Sequence, residues 1–120
     1  MTIRVGETGK RIYVITSFDM SSNTSLEIYA VPPSGTDNQK TWTASLETSA
    51  LNNITLEDGT TVTTVDADQA MYYDLAATTD IDEAGDWTLV GVYTDTGQTP
   101  TDLFKSDPIT MTVLDDFYVA

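Results

Sequence analysis

The sequence predicts an all-β sandwich, because three observations agree on strands. Apolar residues alternate with polar ones at period two in several short segments, most clearly at Trp42, Ala44 and Leu46, as in half-buried strands. Turn signals rich in glycine, proline, asparagine and aspartate separate these segments. No long segment has the helical period. We therefore expect a single domain over residues 1–120, with the sandwich at about 2–114 and a C-terminal tail at 115–120.

The predicted strands are short, and their number is typical of an antiparallel sandwich of about seven to nine strands. Asp58-Gly59 is a strong hairpin signal between two of them. Residues 49–57 fit a short strand or a loop, and residues 66–75 fit either a short helix before a strand or, as we favour, a strand at their end. In chain order the predicted strands cover Ile3–Val5, Arg11–Thr16, Leu26–Ala30, Thr41–Glu47, Ile54–Leu56, Thr61–Val65, Met71–Leu75, Asp86–Thr94 and Leu103–Val113, the last interrupted near Pro108.

Two predicted strands carry large apolar side chains on both faces. In Arg11–Thr16, Tyr13 and Ile15 alternate with two other apolar residues, which indicates a central strand or an outward-facing interface. Tyr72 and Tyr73 are consecutive, so one of them must point away from the core if the segment is a strand. Outward tyrosines on these strands are candidates for partner docking.

The charge balance disfavours several classes of partner. The 19 acidic and 5 basic residues give a formal net charge of −14, which opposes binding to nucleic acid and to anionic membranes. Three of the five cations, Arg4, Lys10 and Arg11, lie near the N-terminus. We expect any basic contact surface, and therefore protein docking, to involve these three residues. Met1–Arg4 is not followed by an apolar stretch, so no signal peptide is predicted.

The residue types present offer few routes to catalysis. The chain contains no histidine and no cysteine, which removes the usual general base, the thiol nucleophile, the serine–histidine–aspartate triad and any disulfide. A two-carboxylate glycosidase needs a deep cleft, which a small sandwich with short loops seldom has. We therefore predict a protein that is not an enzyme and that has no cofactor.

Among metals, zinc is disfavoured because the chain lacks its nitrogen and sulfur ligands, whereas calcium prefers oxygen ligands. Asp80, Asp82 and Asp86 could converge at one turn, and Asp66 and Asp68 could add further carboxylates. The alternative is a solvated acidic loop. We favour the loop, because the spacing misses the EF-hand pattern.

The segment before the strongest strand resembles the corner of immunoglobulin-type domains. There, a tight turn precedes strand F, and an aromatic residue lies two positions before the cysteine of antibody domains. Gly85 would tighten this turn, Trp87 stands at the aromatic position and Leu89 at the cysteine position. The sequence therefore predicts an immunoglobulin-like antiparallel sandwich without a disulfide, in which these three residues form a structural corner.

Five segments together resemble the small immunoglobulin-like structural proteins of tailed bacteriophages, including the N-terminal domain of baseplate upper proteins. They span nearly the whole chain, and they are Val5-Gly6-Glu7-Thr8-Gly9-Lys10, Phe18-Asp19-Met20-Ser21, Ile28-Tyr29-Ala30-Val31-Pro32-Pro33-Ser34-Gly35, the Ile81–Leu89 corner and the closing Lys105–Val113 segment.

The resemblance implies a non-enzymatic virion protein, assembled in the host cytoplasm, whose partners are other virion structural proteins and which forms oligomers only within that assembly. Because no stalk segment follows the last strand, we expect a decoration or connector subunit of the head, neck or tail. The alternatives are a baseplate or fibre-attachment module, or a carbohydrate-binding adhesion module that contacts the host surface.

The tail adds two docking candidates, Phe117 and Tyr118, beyond the last predicted strand. One interpretation is that the tail extends the edge strand and packs on its own sheet. The other is that it docks into a neighbouring subunit by strand addition. Both remain open at the level of the sequence.

Overall fold

The chain forms short β-strands joined by turns. The computed structural model describes residues 3–16, 18–55 and 61–115. Its strands are β1 (Ile3–Arg4), β2 (Arg11–Ile15), β3 (Ser25–Val31), β4 (Lys40–Thr43), β5 (Ser45–Glu47), β6 (Leu51–Thr55), β7 (Thr61–Val65), β8 (Ala70–Asp74), β9 (Gly85–Asp95), β10 (Asp102–Lys105) and β11 (Ile109–Leu114). A 3-10 turn, Thr36–Asn38, precedes β4. In the described part of the chain, no helix is long and apolar enough to cross a membrane.

The strands form two sheets and a separate hairpin. The large sheet has the order β1-β11-β9-β3-β4, and β10 also pairs with β9. The small sheet has the order β2-β8-β5. Strands β6 and β7 pair with each other in antiparallel fashion. The predicted hairpin is therefore confirmed, while its turn at Asp58-Gly59 lies outside the described residues.

The strand order is that of an immunoglobulin-like sandwich. In such domains one sheet contains strands B, E and D, and the other contains G, F, C and, in the variable type, C′. Here β2, β8 and β5 take the B, E and D positions, and β11, β9, β3 and β4 take the G, F, C and C′ positions. The predicted all-β, immunoglobulin-like class is confirmed, and the β6–β7 hairpin is inserted between D and E.

The core lies between the inner faces of the two sheets. Ile12 and Val14 on β2 and Met71 on β8 are fully buried from the small-sheet side. Trp87 and Leu89 on β9 are fully buried from the large-sheet side and belong to the same apolar cluster. The period-two alternation of the sequence thus places one face of each of these strands in a single core.

Three features of the strand prediction are wrong. The described residues contain eleven strands rather than seven to nine, and β1 pairs with β11 in parallel, with Ile3 opposite Val113. The segment Thr41–Glu47 is not one strand, because β4 pairs with β3 and β5 pairs with β8. The Ala44 N–H still donates to the Leu26 carbonyl at 2.9 Å, and the chain then passes to the small sheet.

Other strand predictions are confirmed with small shifts. The predicted Met71–Leu75 strand is β8, one residue earlier. Of the two ambiguous segments, residues 49–57 contain β6, and residues 66–69 form a turn rather than a helix. The interruption near Pro108 separates β10 from β11.

The two sheets come into direct contact at Gly91 on β9. A Cβ atom placed there would lie 2.7 Å from Val14 Cγ1 and 3.0 Å from Met71 Cε. Both side chains belong to the small sheet, so Gly91 leaves room for them. A larger residue at this position would have to push the sheets apart or displace those side chains.

We predict that Gly91→Ala lowers the free energy of unfolding by about 1–3 kcal/mol, because it overpacks the contact between the sheets. Denaturant unfolding of the single variants and of Gly91→Ala with Val14→Ala would measure the coupling. Gly91→Ala should lower the free energy of unfolding by a smaller amount in the Val14→Ala background, where Val14 Cγ1, the nearest atom, has been removed. An equal loss of unfolding free energy in the two backgrounds would contradict the contact between Gly91 and Val14.

Candidate functional site

The corner before β9 is held by a hydrogen bond from a buried indole. Trp87 is 0% exposed, and its Nε1–H donates to the Glu83 carbonyl oxygen at 3.0 Å. In immunoglobulin-type domains the corner tyrosine makes the same kind of bond to the backbone a few residues upstream. Leu89, two residues further along β9, is fully buried in the core.

The corner also contacts the loop that follows β3. Gly85 has φ +120°, and a Cβ atom there would lie 2.7 Å from Pro33 Cγ. Ser34 Oγ donates to Glu83 Oε2 at 2.6 Å. Glycine is therefore required at position 85 by both the backbone conformation and the neighbouring proline. These packing contacts and hydrogen bonds fix the path of the chain into β9.

The candidate docking site is the outward face of the small sheet, which we call the small-sheet face. Its strands are in register, with Tyr13 opposite Tyr72 and Arg11 opposite Asp74, so their side chains lie on one side. Of the two consecutive tyrosines, Tyr73 packs on the core, which leaves Tyr72 on this face. The small-sheet face consists of Arg11, Tyr13, Ile15, Ser45, Glu47, Tyr72 and Asp74.

Arg11 is held in place on the small-sheet face, at the start of the edge strand β2. Its Nε and Nη2 atoms donate to the two carboxylate oxygens of Asp74 at 2.7 and 3.0 Å. Its Cζ atom lies 3.9 Å from the ring centroid of Tyr72, and Tyr13 meets that ring edge-on at 6.1 Å. Nη1 lies 3.9 Å from Glu47 Oε2. The hydrogen bond with Asp74 raises the pKa of Arg11 and lowers the pKa of Asp74, so both groups stay charged.

The other two predicted docking cations lie apart from this face. Lys10 precedes β2, and its Nζ is 3.6 Å from Glu7 Oε2. Arg4 lies on β1 at the edge of the large sheet, is half-buried, and its backbone N–H donates to Glu7 Oε1. The structure therefore does not collect the three cations into one basic patch, and only Arg11 belongs to the small-sheet face.

The three candidate calcium ligands have separate protein partners. Asp80 Oδ2 accepts hydrogen bonds from the backbone N–H groups of Ala76 and Ala77 and from the Tyr73 hydroxyl, at 2.9–3.1 Å. Asp82 forms an ion pair with Lys40 at 3.1 Å. Asp86 accepts a hydrogen bond from the Thr112 hydroxyl. In residues 3–16, 18–55 and 61–115, no group of three acidic side chains is placed to hold a metal ion.

Asp80 instead stabilises the turn that follows β8. Partial burial raises its pKa, but the hydrogen bonds from Ala77, Ala76 and Tyr73 outweigh burial, and its pKa is below the ordinary value. Burial, followed by the hydrogen bond donated to Asp80, raises the pKa of Tyr73 to about 12. Asp80 is therefore a charged acceptor that holds the turn against Tyr73.

A groove that the sequence reasoning missed lies between β10 and the end of β2. It has a volume of about 550 Å³ and is lined by Ile15, Thr16, Phe104, Lys105, Ser106 and Asp107. The adjacent apolar pair Leu103 and Phe104, between polar neighbours, was the available signal, because an apolar pair in a strand cannot bury both side chains on one face. The predicted tail residues Phe117 and Tyr118 lie outside the described residues.

Comparison of the chain with known protein families, with curated proteins and with solved structures finds no match. The likeness to phage immunoglobulin-like proteins therefore rests on the sequence segments given above. The strand order supports the domain type.

We predict that Asp80→Asn destabilises the protein at neutral pH by about 1 kcal/mol, because three hydrogen bonds lose a charged acceptor. Since the pKa of Asp80 is lowered in the folded state, its contribution is present above the unfolded value, near 3.8, and disappears as pH falls through the lower, folded value. Thermal unfolding of both proteins between neutral and acidic pH would measure this.

Asp82→Asn is the matched control, because Asp82 contributes only an exposed ion pair to Lys40, worth about 1 kcal/mol or less. A gap between wild type and Asp80→Asn that stays constant down to acidic pH would contradict the role assigned to the Asp80 charge.

Proposed function

We propose that the chain is a non-enzymatic structural subunit of a phage particle, an immunoglobulin-like decoration or connector domain of the head, neck or tail. Its partners are other virion structural proteins, and its location is the virion. The resemblance of five sequence segments supports the particle, and the strand order supports the domain type. The absence of histidine and cysteine from the sequence supports a role without catalysis.

One observation carries the docking part of the proposal, namely the fixed arginine–tyrosine cluster of the small-sheet face. Tyrosine and arginine are enriched among the residues that contribute most to binding in protein interfaces. Asp74 already holds Arg11 over the Tyr72 ring, so little side-chain entropy is lost when a partner covers it.

The charge distribution supports a protein partner over the other classes. A net charge of −14 opposes nucleic acid and anionic membranes. The carbohydrate-binding alternative gains no support from the tryptophans, since Trp42 and Trp87 are 4% and 0% exposed. Neither can provide the stacking surface that sugars require.

We predict that particles purified from the host that carries this sequence contain the chain at a fixed copy number, measured by quantitative mass spectrometry. Arg11→Ser and Tyr13→Ser should each reduce retention, because truncating an arginine or tyrosine that anchors an interface weakens affinity about tenfold or more. Lys40→Ser is the matched control, since it also removes a cation from an ion pair, but on the large sheet.

Particles without the chain would contradict the virion assignment. Equal retention of all three variants would contradict docking through the small-sheet face. Binding of the purified domain to glycans, lost in Tyr13→Ser, would replace the proposal with the adhesion function.

A further inference from the structure

Strand β10 has one paired edge and one open edge. It pairs with β9, and in the part of the chain that the structure describes no strand pairs with its other side. The Ser106 N–H donates to the Gly91 carbonyl at 2.8 Å. Because backbone groups in an antiparallel pair alternate in direction, Phe104 bonds towards β9, whereas the N–H and C=O groups of Leu103 and Lys105 point away from it.

The side chains of β10 leave apolar surface beside this open edge. Leu103 is 58% exposed and Phe104 is 37% exposed. Phe104 lies opposite Tyr93, on the inner side of the large sheet, and meets Phe18 edge-on at 4.6 Å between ring centroids. Phe18 in turn meets Tyr93 at 5.2 Å. The exposed ring of Phe104 is therefore supported from behind by packed aromatic residues.

The groove between β10 and β2 continues this apolar surface. Ile15 lines it from the small sheet, and Phe104 lines it from β10. A strand added to the open edge of β10 would direct every second side chain to the inner side of the large sheet. One such side chain would lie next to Phe104 and enter the groove.

The charges around the open edge of β10 indicate the charge of the partner that would bind there. Asp102 on β10 lies opposite Asp95 on β9. Burial raises the pKa of Tyr93, and the charges of Asp95, Asp102 and Asp19 raise it further. Asp107 also lines the groove, together with one cation, Lys105. A second copy of the chain also has a net charge of −14 and would be repelled by this acidic surface. A segment rich in lysine or arginine is therefore the complementary partner.

We propose that β10 receives an extended basic segment of a different protein by strand addition, with one apolar side chain of that segment in the groove between Phe104 and Ile15. The backbone groups of Leu103 and Lys105 form the new hydrogen bonds. The inference rests on the proposed docking function and adds a second contact, separate from the small-sheet face.

The test uses the full chain, labelled with ¹⁵N, and a terminally blocked peptide that alternates lysine with valine over six residues. A peptide with proline in place of each valine is the control, because it keeps the charge but loses the N–H donor at every second position and has its φ angles restrained outside the strand range, which disfavours ladder pairing. At a peptide concentration about ten times Kd, the amides of Leu103 and Lys105 should exchange about tenfold more slowly. The Phe104 amide, already bonded to β9, should change little.

A matched pair of variants tests the site independently of folding. Leu103→Lys adds a cation to the edge and removes its apolar side chain, and should weaken lysine–valine binding about fivefold. Thr110→Lys adds the same charge at an exposed position of β11 in the same sheet and should leave binding unchanged. Melting temperatures of both variants check that the sandwich is intact.

Equal binding of the proline peptide, or protection of Tyr13 and Ile15 on the edge of β2 instead, would overturn the inference. So would the absence of binding. Retention in particles separates this inference from the proposed function. If particles lose the Arg11→Ser protein but retain the Leu103→Lys protein fully, the strand addition alone is overturned. If the chain binds the peptide but is missing from particles, the virion function alone is overturned.

Discussion

The fold depends on an aromatic contact that joins the two sheets beside the corner. Trp42 on β4 stacks on Tyr73 of β8, with ring centroids 4.9 Å apart and planes at 10°. On the same sheet as Trp42, the Trp87 ring lies 6.5 Å away at 21°. Antibody domains place a tryptophan against a disulfide between the sheets. This chain has no cysteine, so ring packing and the Trp87–Glu83 hydrogen bond take over that role.

The same arrangement explains why the outer surfaces are available for binding. The core needs only one face of each inner strand, so the other face of the small sheet can carry Arg11, Tyr13 and Tyr72. At the opposite end of the sandwich from the corner, β10 extends along β9 with four exposed residues. Residues on such outer surfaces can vary with less effect on the fold than residues of the core.

Much of the fold is predictable from the sequence, because most strands bury one face and their alternation is plain, as in β2 and β9. The passage of the chain between sheets at Ala44 is not predictable in this way. Alternation continues across that passage, since Trp42 and Leu46 face the same core from different sheets. The parallel pairing of β1 with β11 is likewise decided by contacts between distant residues.

The candidate site was predictable only in part, for a physical reason. Sequence spacing allowed Asp80, Asp82 and Asp86 to converge, but it could not reveal that backbone amides, Lys40 and Thr112 would engage them separately. The outward position of a tyrosine at 72 or 73 followed from strand geometry, whereas the choice between them depended on the stack of Tyr73 on Trp42. Phe18 supports Phe104 through a tertiary contact, and a local sequence pattern cannot predict such a contact.

The central claim is that buried ring packing at the corner holds the sandwich without a disulfide. Denaturant unfolding of Trp87→Ala tests it most directly, with Trp87→Phe to separate ring packing from the hydrogen bond to Glu83. We predict that Trp87→Ala loses about 3–5 kcal/mol of unfolding free energy and that Trp87→Phe loses clearly less. A Trp87→Ala protein that loses less than about 1 kcal/mol would contradict the account.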